Sequence, residues 1–212
     1  MNTFRQHKSV FAKWLKDSTD VLDTMFSIDI KRTKLTKFIH DPKIYQEVCD
    51  VLRLNLKRIN EIHRYCIGVS SYPYISWLEF AGFCKKWLIP GKTSSWLYLD
   101  EGTCSMTVID WQFVATNFEE VKNEQNRERY LCRFEFYEIL VRIAEEKYWE
   151  SGKAKSVSQA LTMLLDKNLF RHSYYMLPCA KWRKDKLWSI LIDDLYFANL
   201  STLKSLYAVS AV

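Results

Sequence analysis

Apolar residues recur at helical spacing along most of this chain. Between Ser9 and Met25, the residues Val10, Phe11, Trp14, Leu15, Val21, Leu22 and Met25 cluster at helical spacing, which predicts a first helix. From Ser27 to Lys37 the pattern lapses while Lys31, Arg32, Lys34 and Lys37 accumulate, so this stretch reads as a solvated basic arm. Asp41 and Pro42 suit the N-cap and first position of the next helix. Beyond them Ile44, Val48, Val51, Leu52, Leu56, Ile59 and Ile62 form one stripe, predicting a single long helix from Lys43 to about Tyr65, ended by Gly68.

Further helices are predicted over Trp77–Leu88, stopped before Pro90-Gly91, over Thr107–Glu120, and over Arg133–Trp149, where Glu138 and Arg142 make an i,i+4 pair. Ser151-Gly152 closes the last of these, and Ser156 caps a short helix through about Leu169. Arg171–Ala180 reads as a connection and Trp182–Tyr207 as one helix or two. The expected fold is all-α, in three parts: an N-terminal helix and basic arm (1–42), a lobe (43–150) and a helical, incomplete second lobe (151–212).

Composition agrees with helices. Five Gly and four Pro are too few to serve the many tight turns of a β-rich fold. Six cysteines lie apart with no CxxC pair, and MNTFRQHKSV lacks a secretory apolar run, so reduced, mostly buried thiols and a cytoplasmic location are expected. No stretch has the roughly 18 apolar residues that a membrane span needs. The net charge of +6 suits acidic partners without selecting one.

The most informative pattern joins the helices. A calcium-binding loop of twelve positions takes oxygen ligands at 1, 3, 5, 7, 9 and 12, with Gly at 6 and a bidentate Glu at 12. Aligning Ile75-Ser-Trp-Leu-Glu79-Phe80 on its end gives a loop from Gly68 to Glu79, and Leu131-Cys-Arg-Phe-Glu135-Phe136 gives one from Glu124 to Glu135. The ligands are degenerate. Positions 1, 3 and 5 of the first loop are Gly68, Ser70 and Tyr72, and Pro73 stands at 6, where the loop calls on glycine's freedom. The second loop keeps Glu124, Asn126, Glu128 and Glu135 as residual metal candidates, with Arg129 in place of the glycine. A third stretch, Leu99–Asp110, lies too close to Glu124 to own two helices and is rejected. No cofactor is expected.

An internal echo adds to the pattern. An offset of 144 residues places Asp50 on Asp194, Val51 on Leu195, Asn55 on Asn199, Leu56 on Leu200, Ile59 on Leu203 and Ile62 on Leu206. Gly68 falls on Val212, so one full lobe plus the opening helices of another is expected.

The segments YPYISWLEFAGFC (72–84), CSMTVIDWQFVATN (104–117) and LCRFEFYEILVRIAEEKYWESG (131–152) resemble degenerate EF-hand-like proteins of cilia and axonemes, especially those of ciliated protists. The resemblance covers roughly residues 26–207. It implies a calmodulin-superfamily fold, often metal-free, in which Ile75 and Leu131 pair in a short antiparallel bridge between loops. It also implies a microtubule-associated structural protein of the axoneme, part of a large complex with other axonemal proteins or tubulin.

Other chemistry is weak. Gly91-Lys92-Thr93-Ser94 mimics the end of a phosphate-binding loop, but Lys86 stands where the first glycine belongs and a helix precedes it. The four histidines are scattered, none at metal spacing with cysteine, and no enzyme is expected. Lys181, Arg183, Lys184 and Lys186 around Trp182 form a basic surface, without any nucleic-acid-binding signature beside it. The expectation is a non-enzymatic scaffold with an apolar groove walled by Trp77, Phe80, Phe83, Trp87, Phe136, Ile139, Leu140 and Ile143, holding a partner helix or the N-terminal helix Ser9–Met25. A calcium-binding regulatory protein is the alternative, and a basic nucleic-acid-binding module the third reading.

Overall fold

Helices make nearly all the regular structure, as the apolar spacing predicts. The computed structural model describes residues 4–12, 18–67, 71–90, 104–118, 129–172 and 179–210. The chain divides into two units, Thr19–Tyr175 and Met1–Ser18 with Met176–Val212, and each is treated by itself.

The larger unit opens with α1 (Thr19–Ile30), ten residues after the predicted start. Upstream, the Ser9 hydroxyl donates to the Gln6 carbonyl (2.7 Å) and accepts from the Phe11 N–H (3.1 Å). Such local bonds compete with a helical ladder. Residues 13–17 of the predicted helix lie outside the described residues.

Asp41 caps α2 (Pro42–Leu54) by accepting from the Lys43 N–H at 2.8 Å. The long helix predicted beyond it is two helices, α2 and α3 (Leu56–Cys66), parted at Asn55. The Asn55 side-chain amide donates to the Val51 carbonyl at 2.9 Å, the kind of local bond that lets asparagine end a helix.

The arm expected to be solvated is docked. Leu35 and Ile39 are buried, and Asp29 accepts both Nε and Nη2 of Arg133, the latter at 3.1 Å. The Lys34 N–H donates to Glu138 Oε2 at 2.7 Å, while its ammonium reaches the carbonyls of Thr116 and Phe118 at the end of α5 (Met106–Asn117). These are carbonyls that a helix end leaves without partners, and a cation there also meets the negative end of the helix dipole.

Strand β1 (Ile75–Ser76) pairs antiparallel with β2 (Tyr130–Leu131), Ile75 facing Leu131 and Ser76 facing Tyr130. Helices α4 (Trp77–Lys86) and α6 (Arg133–Ala144) start close behind these strands. A π-helical turn, Glu145–Trp149, extends α6, and another, Leu165–Phe170, extends α7 (Val157–Leu164). The Tyr148 hydroxyl donates to Asn168 Oδ1 (2.8 Å), and Asn168 Nδ2 donates to the Leu88 carbonyl (2.8 Å). Because α7 packs on α2 and α6, residues expected in the C-terminal lobe belong to this unit.

The core centres on rings from both loop-following helices. Phe80 meets Phe136 edge-on (6.4 Å, 90°), Phe83 lies 6.2 Å from Phe136 and 4.9 Å from Trp87, and Phe113 of α5 completes the cluster 5.8 Å from Phe80. Burying each phenyl contributes about 1.5–3 kcal/mol, with about 0.5–1.5 more per well-placed ring pair.

In the smaller unit, α8 (Cys179–Trp182) runs into a π-helical turn, Arg183–Leu187, followed by α9 (Ile190–Ala198) and α10 (Leu200–Ser210). The Val10 N–H donates to Asp193 Oδ1 (2.8 Å), and the Phe11 ring meets Tyr196 edge-on at 5.5 Å. The N-terminal residues of this unit therefore lie on α9.

Helix α4 ends with Leu88 at φ +52, its N–H on the Lys85 carbonyl and the Ile89 N–H on that of Cys84. This closing motif usually places glycine at the left-handed position. Leu88→Gly is expected to stabilise the protein by about 0.5–1 kcal/mol, since the relieved left-handed strain of about 1–2 kcal/mol exceeds glycine's entropic cost. Urea unfolding checks it through a higher midpoint at unchanged slope.

Candidate functional site

The two loops, described from Ser71 and from Arg129 onward, end in the same chemistry. Glu79 Oε2 accepts from the Ser76 N–H (2.8 Å), the Ser76 hydroxyl (2.8 Å) and the Ser71 hydroxyl. Burial alone would raise its pKa, but these bonds outweigh it and hold the carboxyl below its ordinary range. In the second loop Glu135, fully buried, accepts from the Cys132 N–H (2.9 Å) and thiol (3.0 Å). Burial first and the Glu135 charge second push the Cys132 thiol far up.

Each glutamate thus returns to the residue three before it, the start of its own helix, as in a capping box. In a metal loop the same position would offer two oxygens to the ion. Here those carboxylates are engaged by the loop itself. Glu124, Asn126 and Glu128 lie outside the described residues, and among the described residues no three His, Cys, Asp or Glu are disposed to hold a metal ion.

Arg129, at loop position 6, takes the left-handed conformation that glycine serves in metal loops, with φ +66. Asn117 holds it there: Oδ1 accepts the Arg129 N–H and Nδ2 donates to the Tyr130 carbonyl at 2.7 Å. The left-handed turn is thus held at a residue other than glycine by side-chain hydrogen bonds from Asn117.

The predicted groove walls are brought together, and they close on one another. Phe80, Phe83, Trp87, Phe136, Ile139, Leu140 and Ile143 are buried, and Trp77 lies half-buried with its ring edge-on to Phe113 at 5.1 Å. They are core in this structure, not a surface open to a partner. Of the predicted N-terminal helix Ser9–Met25, residues 19–25 lie in α1, which packs on α2, α3 and α6 with Phe26 buried 6.2 Å from the Tyr137 ring, while residues 4–12 belong to the other unit. Periodicity reports an apolar face but not what covers it.

The basic cluster is accessible: Lys181, Lys184 and Lys186 are exposed and Arg183 half-buried, with Asp185 exposed among them. The sequence predicts the helix but not its apolar outer side: α5 exposes Trp111 and Val114, with Phe118 just beyond its end, while burying Ile109 and Phe113. Its signal was a helix apolar on every face.

Burial pushes the thiols of Cys66 and Cys84 well up and that of Cys104 to about 11, which suppresses the nucleophilic thiolate. His63, its ring 5.3 Å from that of Phe136 and tilted by 58°, is pushed down to about 3 by burial first and by the charges of Arg133 and Arg64 second. Comparison with protein-family models, with curated proteins and with solved structures finds no match.

Two outcomes follow from these groups. Glu79→Gln should cost about 1 kcal/mol at neutral pH, the usual worth of a cap. Because the folded pKa of Glu79 is depressed, that contribution exists above the unfolded value and fades as pH falls through the folded one. Unfolding curves of the two proteins should converge in acid. For His63 the unfolded chain takes up its proton near 6.5 and the folded chain near 3, so stability falls on acidification across that window, by up to about 1.4 kcal/mol per pH unit. His63→Leu should flatten that slope in denaturant titrations between pH 6 and 4.

Proposed function

We propose that the larger unit is a degenerate, metal-free EF-hand-like lobe and that the protein is a non-enzymatic interaction scaffold built into the ciliary axoneme. The observation that carries this reading is the pair of helix–loop–helix units joined through Ile75 and Leu131, each loop closed by its own glutamate. A lobe held shut this way has no need of an ion to set its helices, which suits a permanent structural part better than a switch. Buried, high-pKa thiols and a buried neutral histidine favour a non-catalytic role. The axonemal assignment rests on the sequence resemblance, and the exposed Lys181, Lys184 and Lys186 suit the acidic surfaces of tubulin.

A second reading, a calcium-responsive regulatory subunit acting through Glu124–Glu135, draws on one observation: the left-handed turn at Arg129.

The scaffold reading is tested by fractionating cilia from the source cell. The protein should stay with salt-washed doublet microtubules, and the paired charge reversals Lys181→Glu and Lys184→Glu should lower the retained share several-fold. Recovery in the soluble fraction, or absence from cilia, would remove the axonemal assignment. Saturable Trp fluorescence change at micromolar calcium would instead favour the regulatory reading.

A further inference from the structure

Lys34 meets both helices that flank the second loop. Its backbone N–H donates to Glu138 Oε2 of α6 at 2.7 Å, and Glu138, fully buried, is braced by Arg142 Nε at 3.0 Å. The Arg142 guanidinium in turn lies over the Phe38 ring, 4.2 Å from its centroid. Two points, Lys34 and Phe38, therefore hold the segment after α1 against α6.

The side chain of the same residue reaches the end of α5. Its ammonium donates to the carbonyls of Thr116, Phe118 (2.7 Å) and, at longer range, Ala115 (3.4 Å). An ammonium has three donors, and the last turn of a helix leaves its carbonyls unpaired at the negative end of the dipole, so the cup fits in number and in sign of charge. Asn117, set between Thr116 and Phe118, holds the returning loop by accepting the Arg129 N–H and donating to the Tyr130 carbonyl at 2.7 Å. The end of α5 is thus fixed from two directions, to α6 through Lys34 and to β2 through Asn117. All of these contacts lie within the larger unit.

We infer that Lys34 is the internal cation of this unit, tying the helix before the loop to the helix after it as a bound calcium ion does in a metal hand. The ion makes that tie through oxygens gathered from the loop and from the glutamate that closes it. Here the oxygens are the backbone carbonyls at the end of α5, the positive charge is an ammonium, and the tie to α6 is made by the backbone N–H of the same residue. A charge carried by the chain neither dissociates nor answers to calcium concentration, so α5 and α6 keep one arrangement where a sensor hand moves between two. A lysine that merely capped α5 would steady that helix alone. One that ties α5 to α6 also governs the loop's return at Arg129. The inference rests on the metal-free reading of the second loop.

Native-state hydrogen exchange of the full chain tests it in Lys34→Met, which keeps the apolar stem and removes the charge. Amides at the end of α5 and from Arg129 to Leu131 should exchange at least about tenfold faster, while those of α2 and α7, which pack on each other, keep their wild-type rates. Lys34→Arg, which retains a cation, should stay within about threefold of wild type. Millimolar calcium should change none of these rates. Exchange that stays at wild-type rates, rises equally throughout the larger unit, or rises in α5 without Arg129–Leu131 would overturn the inference and leave the metal-free loops standing. Calcium that slows the same amides in the wild-type protein would overturn both, since an ion and not Lys34 would then set α5. Should Lys34→Met not fold, limiting acetic anhydride on the wild-type protein decides: Lys34 should react at least about tenfold more slowly than the exposed Lys31, and equal rates would overturn the inference.

Discussion

Glu79 and Glu135 turn back onto the backbone amides of Ser76 and Cys132, and the geometry of the larger unit depends on these two closures. Each carboxylate sets where its helix begins. Each is followed by a phenylalanine, so fixing the two helix starts on either side of the Ile75–Leu131 bridge delivers Phe80 and Phe136 to each other edge-on. The caps are worth about 1 kcal/mol each, less than the rings they aim, which contribute about 1.5–3 kcal/mol apiece on burial. The caps orient and the core stabilises.

A second layer of polar contacts wraps the unit from outside. Arg133 on Asp29 ties the end of α1 to α6, the Lys34 N–H on Glu138 ties the segment after α1 to it, Arg142 braces Glu138 within α6 at 3.0 Å, and the Lys34 ammonium closes the end of α5. Buried ion pairs add little net stability over apolar packing of the same shape, yet breaking one partner leaves a stranded charge at a cost of about 3–5 kcal/mol. Their effect is to admit one docking of this segment and penalise others. Removing the Glu138 carboxylate would take the acceptor from both the Lys34 backbone N–H and the Arg142 guanidinium.

The helices were legible because apolar spacing is a property of the local chain, and Ser156, Asp41 and the Glu138–Arg142 pair announced themselves in the same way. The position-12 glutamates were also legible, but not their partners, since whether a carboxylate faces an ion or its own cap depends on where it points. The docked arm was missed because Lys34 reads as a surface charge until the end of α5 is placed beside it. Phe80, Phe83 and Phe136 looked like groove walls because a groove and a core have the same periodicity. The break at Asn55 was visible as a residue, but an apolar stripe that continues across it hides it. Asn199 parts α9 from α10 with the same amide-to-carbonyl bond, to Leu195 at 2.8 Å.

The central claim, that the loops are closed from within, is tested most directly by thermal unfolding in millimolar calcium against the same protein in a calcium chelator. The account predicts that the two Tm values agree to within about 1 °C. A site with micromolar affinity would add about 4 kcal/mol at 1,000 times its Kd and raise Tm by roughly 8–16 °C at 2–4 °C per kcal/mol. A rise of several degrees would contradict the account and return the glutamates to an ion.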